Sequence, residues 1–265
     1  MPESSAIGQT PTLALAPGGG SVAFVSDLHL SPALQLTVAG FDSCLQNLQA
    51  DALFILGDLF EVWVGDDTLD SPFESACLSV LRNTARRMPV YVMRGNRDFL
   101  LGDRFFAASG CIDLPDPVAV SAFGDTVLLT HGDALCLDDQ PYQAFRRQVR
   151  DPAWQAAFLT RPLAERLSMA REMRGVSRAH QADLAPADYA DVDPNLASQW
   201  LAAARARTLV HGHTHRPASQ RYAAGWQRHV LSDWDLDHGT KDRAEVLFWT
   251  AQGFERRAWA GTTWV

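Results

Sequence analysis

The sequence has no CxxC pair, no long apolar run and no excess of basic charge, and each absence argues against a class of protein. Its four cysteines, Cys44, Cys77, Cys111 and Cys136, are scattered. That spacing fits neither a disulfide framework nor a thiolate zinc site, and it points to a reducing cytoplasm. No stretch is apolar over the roughly 20 residues that a bilayer-spanning helix needs. Residues 1–20 lack the basic and apolar regions of a signal peptide and read as a disordered tail. The expectation is a soluble or peripheral protein. Asp and Glu number 31 against 23 Lys and Arg, a formal net charge of -8. This argues against a protein that coats nucleic acid, because such binding rests on cationic side chains neutralising phosphates.

What is present suits a folded enzyme. The chain has 265 residues, 47% of them hydrophobic, enough for one large domain with an insertion. Five short runs, at 21–25, 52–56, 90–93, 126–129 and 208–210, are almost continuously apolar, as strands buried on both faces must be. Helical spacing separates the early runs: Val38, Phe41, Leu45 and Leu48 before the second, and residues 73–81 before the third. Strand and helix alternation predicts an α/β core with substantial parallel pairing. After His215, shorter pieces at 219–222, 228–231, 244–249 and 254–258 read as the antiparallel end of a sheet. Residues 135–195 are helical in pattern, aromatic and arginine-rich, between two core strands that a far shorter connection could join. They read as a helical cap inserted into a domain spanning 21–265.

Each of the five runs ends in side chains that bind metals: Ser26-Asp27-Leu28-His29, Gly57-Asp58, Gly95-Asn96-Arg97-Asp98, His131-Gly132-Asp133, and His211-Gly212-His213-Thr214-His215. Ligand sites in α/β sheets form beyond the carboxyl ends of strands, so all five can converge on one crevice. Taken singly, Gly57-Asp58 and Gly95-Asn96 are ordinary turns, and His131 is an ordinary hydrogen-bonded core histidine. Three of the eight histidines within five residues at one strand end are harder to explain by packing. The joint pattern selects metal. Carboxylate, imidazole and amide ligands without thiolate suit Mn²⁺, Fe or Zn²⁺ better than Ca²⁺.

The order DxH, GD, GN(H/R)(D/E), H, GHxH resembles that of the calcineurin-like metallophosphoesterase superfamily. Arg97 in place of the usual His is a departure. Together with Asp-Leu-His-Leu, Gly-Asp-Leu-Phe-Glu, Gly-Asn-Arg-Asp-Phe-Leu-Leu-Gly, Tyr-Gln-Ala-Phe-Arg and His-Gly-His-Thr-His-Arg-Pro, over residues 21 to 250, it makes the chain similar to one family within it, the UDP-2,3-diacylglucosamine hydrolases of the bacterial lipid A pathway. That resemblance implies an α/β fold, a four-layer αββα sandwich of two packed mixed sheets with an inserted helical cap over the site. It implies two Mn²⁺ per chain, one held by Asp27, His29, Asp58 and His215, the other by Asp58, Asn96, His131 and His213, with Asp58 bridging. The implied reaction is hydrolysis of the pyrophosphate of a lipid-linked UDP-sugar to UMP and 2,3-diacylglucosamine 1-phosphate, water activated between the metals attacking the phosphorus next to uridine. Asp58, Asn96 and Arg97 would be the catalytic residues, Arg97 stabilising charge on the phosphoryl oxygens.

By the same resemblance Asn96, Arg97, Asp139, Tyr142, Arg174, Ser177, Gln181 and His213 would face the substrate. The family's polar, Lys-containing run after the Ser is replaced here by Arg178-Ala179-His180-Gln181-Ala182-Asp183-Leu184. The implied location is the cytoplasmic face of the inner membrane, peripherally bound, with neither a nucleic acid nor an obligate protein partner. Residues 141–180 carry eight arginines against three acids, and this basic, apolar cap suits an acylated anion arriving from an anionic surface. The competing expectations are another nucleotide phosphoesterase on the same scaffold and a non-catalytic module of the same fold.

Overall fold

The computed structural model describes all residues except 1–9, 17, 19, 183–189 and 239–242, and the side chains of 176–182 are also outside the description. One six-stranded sheet has the order β12-β11-β2-β3-β4-β5, with β2 Val22–Val25, β3 Ala52–Leu56, β4 Val90–Met93, β5 Ile112–Leu114, β11 Glu245–Thr250 and β12 Gly253–Ala258. The other has the order β1-β6-β7-β8-β10-β9, with β1 Thr12–Ala14, β6 Val118–Ala122, β7 Asp125–Thr130, β8 Thr208–His211, β9 Ala218–Arg221 and β10 Gln227–Val230. Both sheets are mixed. β2, β3 and β4 run parallel, as do β7 and β8, so all five predicted runs are strands whose carboxyl ends point to one edge of the molecule.

Strand alternation divides the core into layers. Val22, Phe24, Phe54, Leu56 and Met93 face Val118, Val120, Val127, Leu129 and Val210 of the other sheet. Their neighbours Ala23, Val25, Leu53, Ile55 and Val92 face outward onto helices α1 Gln35–Asn47, α2 Pro72–Ala85 and α3 Asp103–Ser109 through Phe41, Leu45, Leu78, Leu81 and Phe105. On the far side, Leu128 and Leu209 meet Trp200 and Leu201 of helix α7 Pro194–Ala203. The result is the expected αββα sandwich.

Two expectations need correction. Thr12–Ala14, assigned to a disordered tail, pairs with β6, because Leu13 and Leu15 find apolar partners between the sheets. The four late strands do not form one antiparallel end: β9 and β10 close one sheet, β11 and β12 the other, and β10 lies parallel to β8. Between β7 and α7 lie α4 Gln140–Val149, α5 Pro152–Leu159 and α6 Leu163–Ala182. Phe158 is buried, and Trp154, Leu163 and Leu167 pack on the main cluster. Arg166, 3% exposed, ties α6 to Val64 O and the Asp67 carboxylate.

His229 on β10 is buried, stacked on Phe254 with ring centroids 4.4 Å apart. Burial, with the Arg256 charge, pushes its pKa down to about 4. Unfolded chains take up this proton below about pH 6.5 and the native state does not, so stability falls as pH drops from about 6.5 towards 4. Urea unfolding at about pH 7.5 and pH 5 is expected to show about 2 kcal/mol of loss from this group. His229→Phe should flatten the dependence by that amount, and an unchanged slope would refute the assignment.

Candidate metal centre

The five strand-end loops meet as the strand directions require. Asp27, His29 and His215 offer ligand atoms all within 4.8 Å of one another, and so do Asp27, Asp58 and His131. Asp27 is common to both groups, and Asp58 of the second also approaches the first, with Oδ2 3.9 Å from His29 Nε2 and Oδ1 3.7 Å from His131 Nε2. Asn96 Oδ1 is 2.9 Å from both His131 Nε2 and His213 Nδ1. All seven residues expected as metal ligands therefore lie together.

The loops reach this geometry through strained backbone. Among the described residues, seven non-glycine positions have positive φ, and five of them are Asp27, His29, Asp58, His213 and His215. Each such conformation costs on the order of 1 kcal/mol or more and collects at functional sites. The paired ligands Asp27/His29 and His213/His215 thus share an aim by left-handed turning. Backbone amides hold the acids in place. His213 N donates to Asp27 Oδ2 at 2.9 Å, Ser26 Oγ to Asp27 Oδ2 at 2.5 Å, and Arg97 N to Asp58 Oδ1 at 2.8 Å. Asp98 accepts from the amides of Gly95 at 2.7 Å, Leu59 at 2.8 Å and Phe60 at 3.3 Å, which ties two loops together. Burial and the neighbouring Asp58 push its pKa up to about 6.

The donor set fits divalent cations. His131 Nδ1 sits 2.8 Å from the Leu56 carbonyl and must donate to it, so in the neutral ring Nε2 is a lone pair, facing another acceptor, Asn96 Oδ1. His29 Nε2 and His215 Nε2 face each other at 3.3 Å, so that one of the two is an acceptor. Burial opposes a charge on His131, yet Asp58, Asp133 and Asp27 push its pKa up to about 9. Acceptors turned towards one another among buried carboxylates call for positive charge, which a cation between them supplies.

Several partners of the ligands were not on the predicted list. Glu61 Oε2 is 3.1 Å from His29 Nδ1 and its carboxylate pairs with Arg174, so burial is outweighed and its pKa falls to about 2. Asp233 Oδ2 is 3.6 Å from His215 Nδ1 and 2.9 Å from Arg243 Nη2. Asp133, fully buried, accepts from Tyr142 OH at 2.6 Å and Arg146 Nε at 3.0 Å. Of these, Asp133 carried a signal as part of His131-Gly132-Asp133, and Glu61 as the last residue of Gly-Asp-Leu-Phe-Glu. Asp233 stands 18 residues beyond His215, outside any motif.

The substrate-facing expectations divide. Asp139 caps α4, accepting from Tyr142 N at 3.0 Å. Tyr142, its ring 5.6 Å from that of His213, has its hydroxyl engaged by Asp133. Arg174 is engaged by Glu61. The side chains of Ser177 and Gln181 lie outside the described residues. Arg97 is half-buried, and no acid among the described residues forms an ion pair with its guanidinium.

Gly95 makes this centre possible, because a Cβ there would lie 2.1 Å from Asp58 Oδ1 and 2.3 Å from Asp58 N. Gly95→Ala is expected to weaken Mn²⁺ binding to the apo-protein by more than about tenfold with secondary structure intact. Gly175→Ala, whose Cβ meets nothing within 4 Å, should not. Equilibrium dialysis with circular dichroism tests both, and equal affinities would contradict the role given to Gly95.

Known proteins are similar to this chain over most of its length. The family model described as calcineurin-like phosphoesterase matches residues 20–217. A UDP-2,3-diacylglucosamine hydrolase of Chromobacterium violaceum is 48% identical, over 83% of this chain and 92% of its own length. The protein of that name from Stenotrophomonas maltophilia is 44% identical, over 88% and 98%. That from Bordetella pertussis is 42% identical, over 89% and 94%. The chain belongs to the calcineurin-like phosphoesterases and, within them, to the UDP-2,3-diacylglucosamine hydrolase family.

Proposed function

We propose that the protein hydrolyses the pyrophosphate of UDP-2,3-diacylglucosamine, releasing UMP and 2,3-diacylglucosamine 1-phosphate. The observation that carries this reading is the convergence of seven N and O ligands beside Arg97, a half-buried arginine with no acid partner among the described residues, in a chain 42% to 48% identical to proteins of that name.

Asp27, His29, Asp58 and His215 would hold one cation, and Asp58, Asn96, His131 and His213 the other, with Mn²⁺ suited to the mixed donors. Bound there, two divalent cations supply Lewis acidity and lower the pKa of water enough for attack at neutral pH. The chain's own part is positioning. The Leu56 carbonyl fixes the His131 tautomer, so that Nε2 faces inward as a lone pair. The Arg97 amide holds Asp58, and its guanidinium offers a planar fork to phosphate oxygens as negative charge grows. The leaving group is a sugar phosphate, a stable anion, so no side chain has to protonate it. The helices over residues 140–182 form the proposed cap. Among the described residues no helix is long and apolar enough to cross a membrane. Leu36, Val62, Leu137 and Leu159 are exposed, which suits peripheral contact with the cytoplasmic membrane face where a diacylated substrate resides.

Hydrolysis in ¹⁸O-enriched water, followed by mass analysis, tests the reaction. Label is expected in UMP, with activity dependent on Mn²⁺ and lost by more than about 100-fold in Asp58→Ala. Arg97→Lys keeps the charge but not the fork and should lower kcat by roughly 100-fold. Label in the sugar phosphate would overturn the site of attack. A preference for the deacylated analogue would overturn the substrate.

A further inference from the structure

His211 opens the HGHTH segment but contributes no atom to the ligand groups. It is fully buried, and so, at 3% exposure, is Arg228 of the neighbouring strand β10. Arg228 Nε donates to His211 Nε2 at 2.8 Å. An arginine has no acceptor to offer, so Nε2 must be the lone pair and the imidazole proton sits on Nδ1. Nδ1 then donates to the Gly212 carbonyl at 2.7 Å. That carbonyl also accepts from Thr214 N at 2.8 Å, and Gly212 N donates to His131 O at 3.0 Å. The two bonds to the Gly212 carbonyl fix the turn from which His213 and His215 leave in left-handed conformations.

The other end of Arg228 reaches a different part of the chain. Nη1 is 3.1 Å from Asp191 Oδ2, Nη2 pairs with Asp191 Oδ1, and Nη1 also donates to Tyr222 OH at 3.2 Å. Asp191 lies where the chain returns from α6 to α7, next to Val192 in the core, and Asp193 N bonds Leu135 O at 2.8 Å. Removing a guanidinium from water is costly, and apolar side chains of similar volume often fill such places without loss of stability. A buried arginine bonded at one end to the ligand turn and at the other to the cap's return is better explained by geometry than by stability.

We propose that Arg228 is a positioning residue for the metal centre. It locks His211 as the Nδ1-protonated tautomer, so that the Gly212 turn presents His213 and His215, and through Asp191 it anchors that turn to the end of the cap. The inference rests on the reading of the site as a metal centre. Arg228 touches neither metal nor substrate, and acts through His211.

The test uses the full chain stripped of metal, with Mn²⁺ itself as the probe, followed by the electron paramagnetic resonance of free and bound ion. Thermal unfolding is recorded on the same samples. Arg228→Met is expected to unfold cooperatively and to bind Mn²⁺ roughly 10- to 100-fold more weakly. UMP release at saturating Mn²⁺ should show a reduced kcat and an unchanged KM. Arg228→Lys, which can donate to His211 or Asp191 but not span both, should fall between. Asp191→Asn alters a carboxylate that is 42% exposed. It keeps the test alive if Arg228→Met fails to fold, and should weaken Mn²⁺ several-fold. Mn²⁺ affinity within twofold of wild type in Arg228→Met, or in Asp191→Asn where the former does not fold, overturns the inference even if unfolding shifts. A wild-type protein that binds no Mn²⁺ would instead overturn the metal-centre reading beneath it.

Discussion

Four carboxylates, Asp27, Asp58, Asp98 and Asp133, are buried to 2% exposure or less at one edge of the sandwich, around a fully buried His131. Isolated buried charge of this density would unfold a domain, so the surrounding structure depends on how each is compensated. Asp133 is met by Arg146, Arg150 and the Tyr142 hydroxyl, and the charges of the two arginines, with His131, hold its carboxyl far below the usual range against the cost of burial. Asp98 is met by three backbone amides. Asp27 and Asp58 receive amides and a hydroxyl, but otherwise face histidines whose inward nitrogens face further acceptors. Compensation by protein groups therefore stops at the residues that a cation would complete.

That division explains what was legible in the sequence. The five central strands were readable because burial on both faces leaves an unbroken apolar run, and their ends were readable because polar ligands interrupt it abruptly. β1 and β5 escaped because they are three-residue edge strands, and β6 because Ala119 and Ser121 dilute its apolar signal. The ligands are dictated locally, each by its own strand end. Asp233 and Arg228 are dictated by partners on other segments, His215 and Arg243 for the one and His211 and Asp191 for the other, and no motif reveals such pairs.

The arginine-rich stretch shows the limit of reading charge without geometry. Its cations suggested a surface turned towards anionic lipid. Arg146 and Arg150 instead reach inward to Asp133, Arg166 to Asp67, and Arg174 to Glu61. With Arg161, which pairs with Glu165 on the exposed helix face, at least five of the eight have a carboxylate partner among the described residues. Local net charge counted them correctly, but the direction of the four that reach inward was set by acids outside the segment's helices, of which Asp133 is fully buried.

The inward arginines place the three helices in electrostatic register with the metal loops. Arg146 and Arg150 reach the acid that follows His131, and Arg150 also binds the Gly95 carbonyl one residue before Asn96 at 2.9 Å. Arg174 reaches the acid beside His29. On the return side Arg228 joins Asp191 to His211. Besides the apolar packing of Trp154 and Phe158 and the Arg166 tie to Val64 and Asp67, several contacts between this helical segment and the sandwich are therefore made next to candidate ligand residues. Displacing the helices exposes or unpairs acids that orient the ligands, so position of the helices and order of the centre rise and fall together.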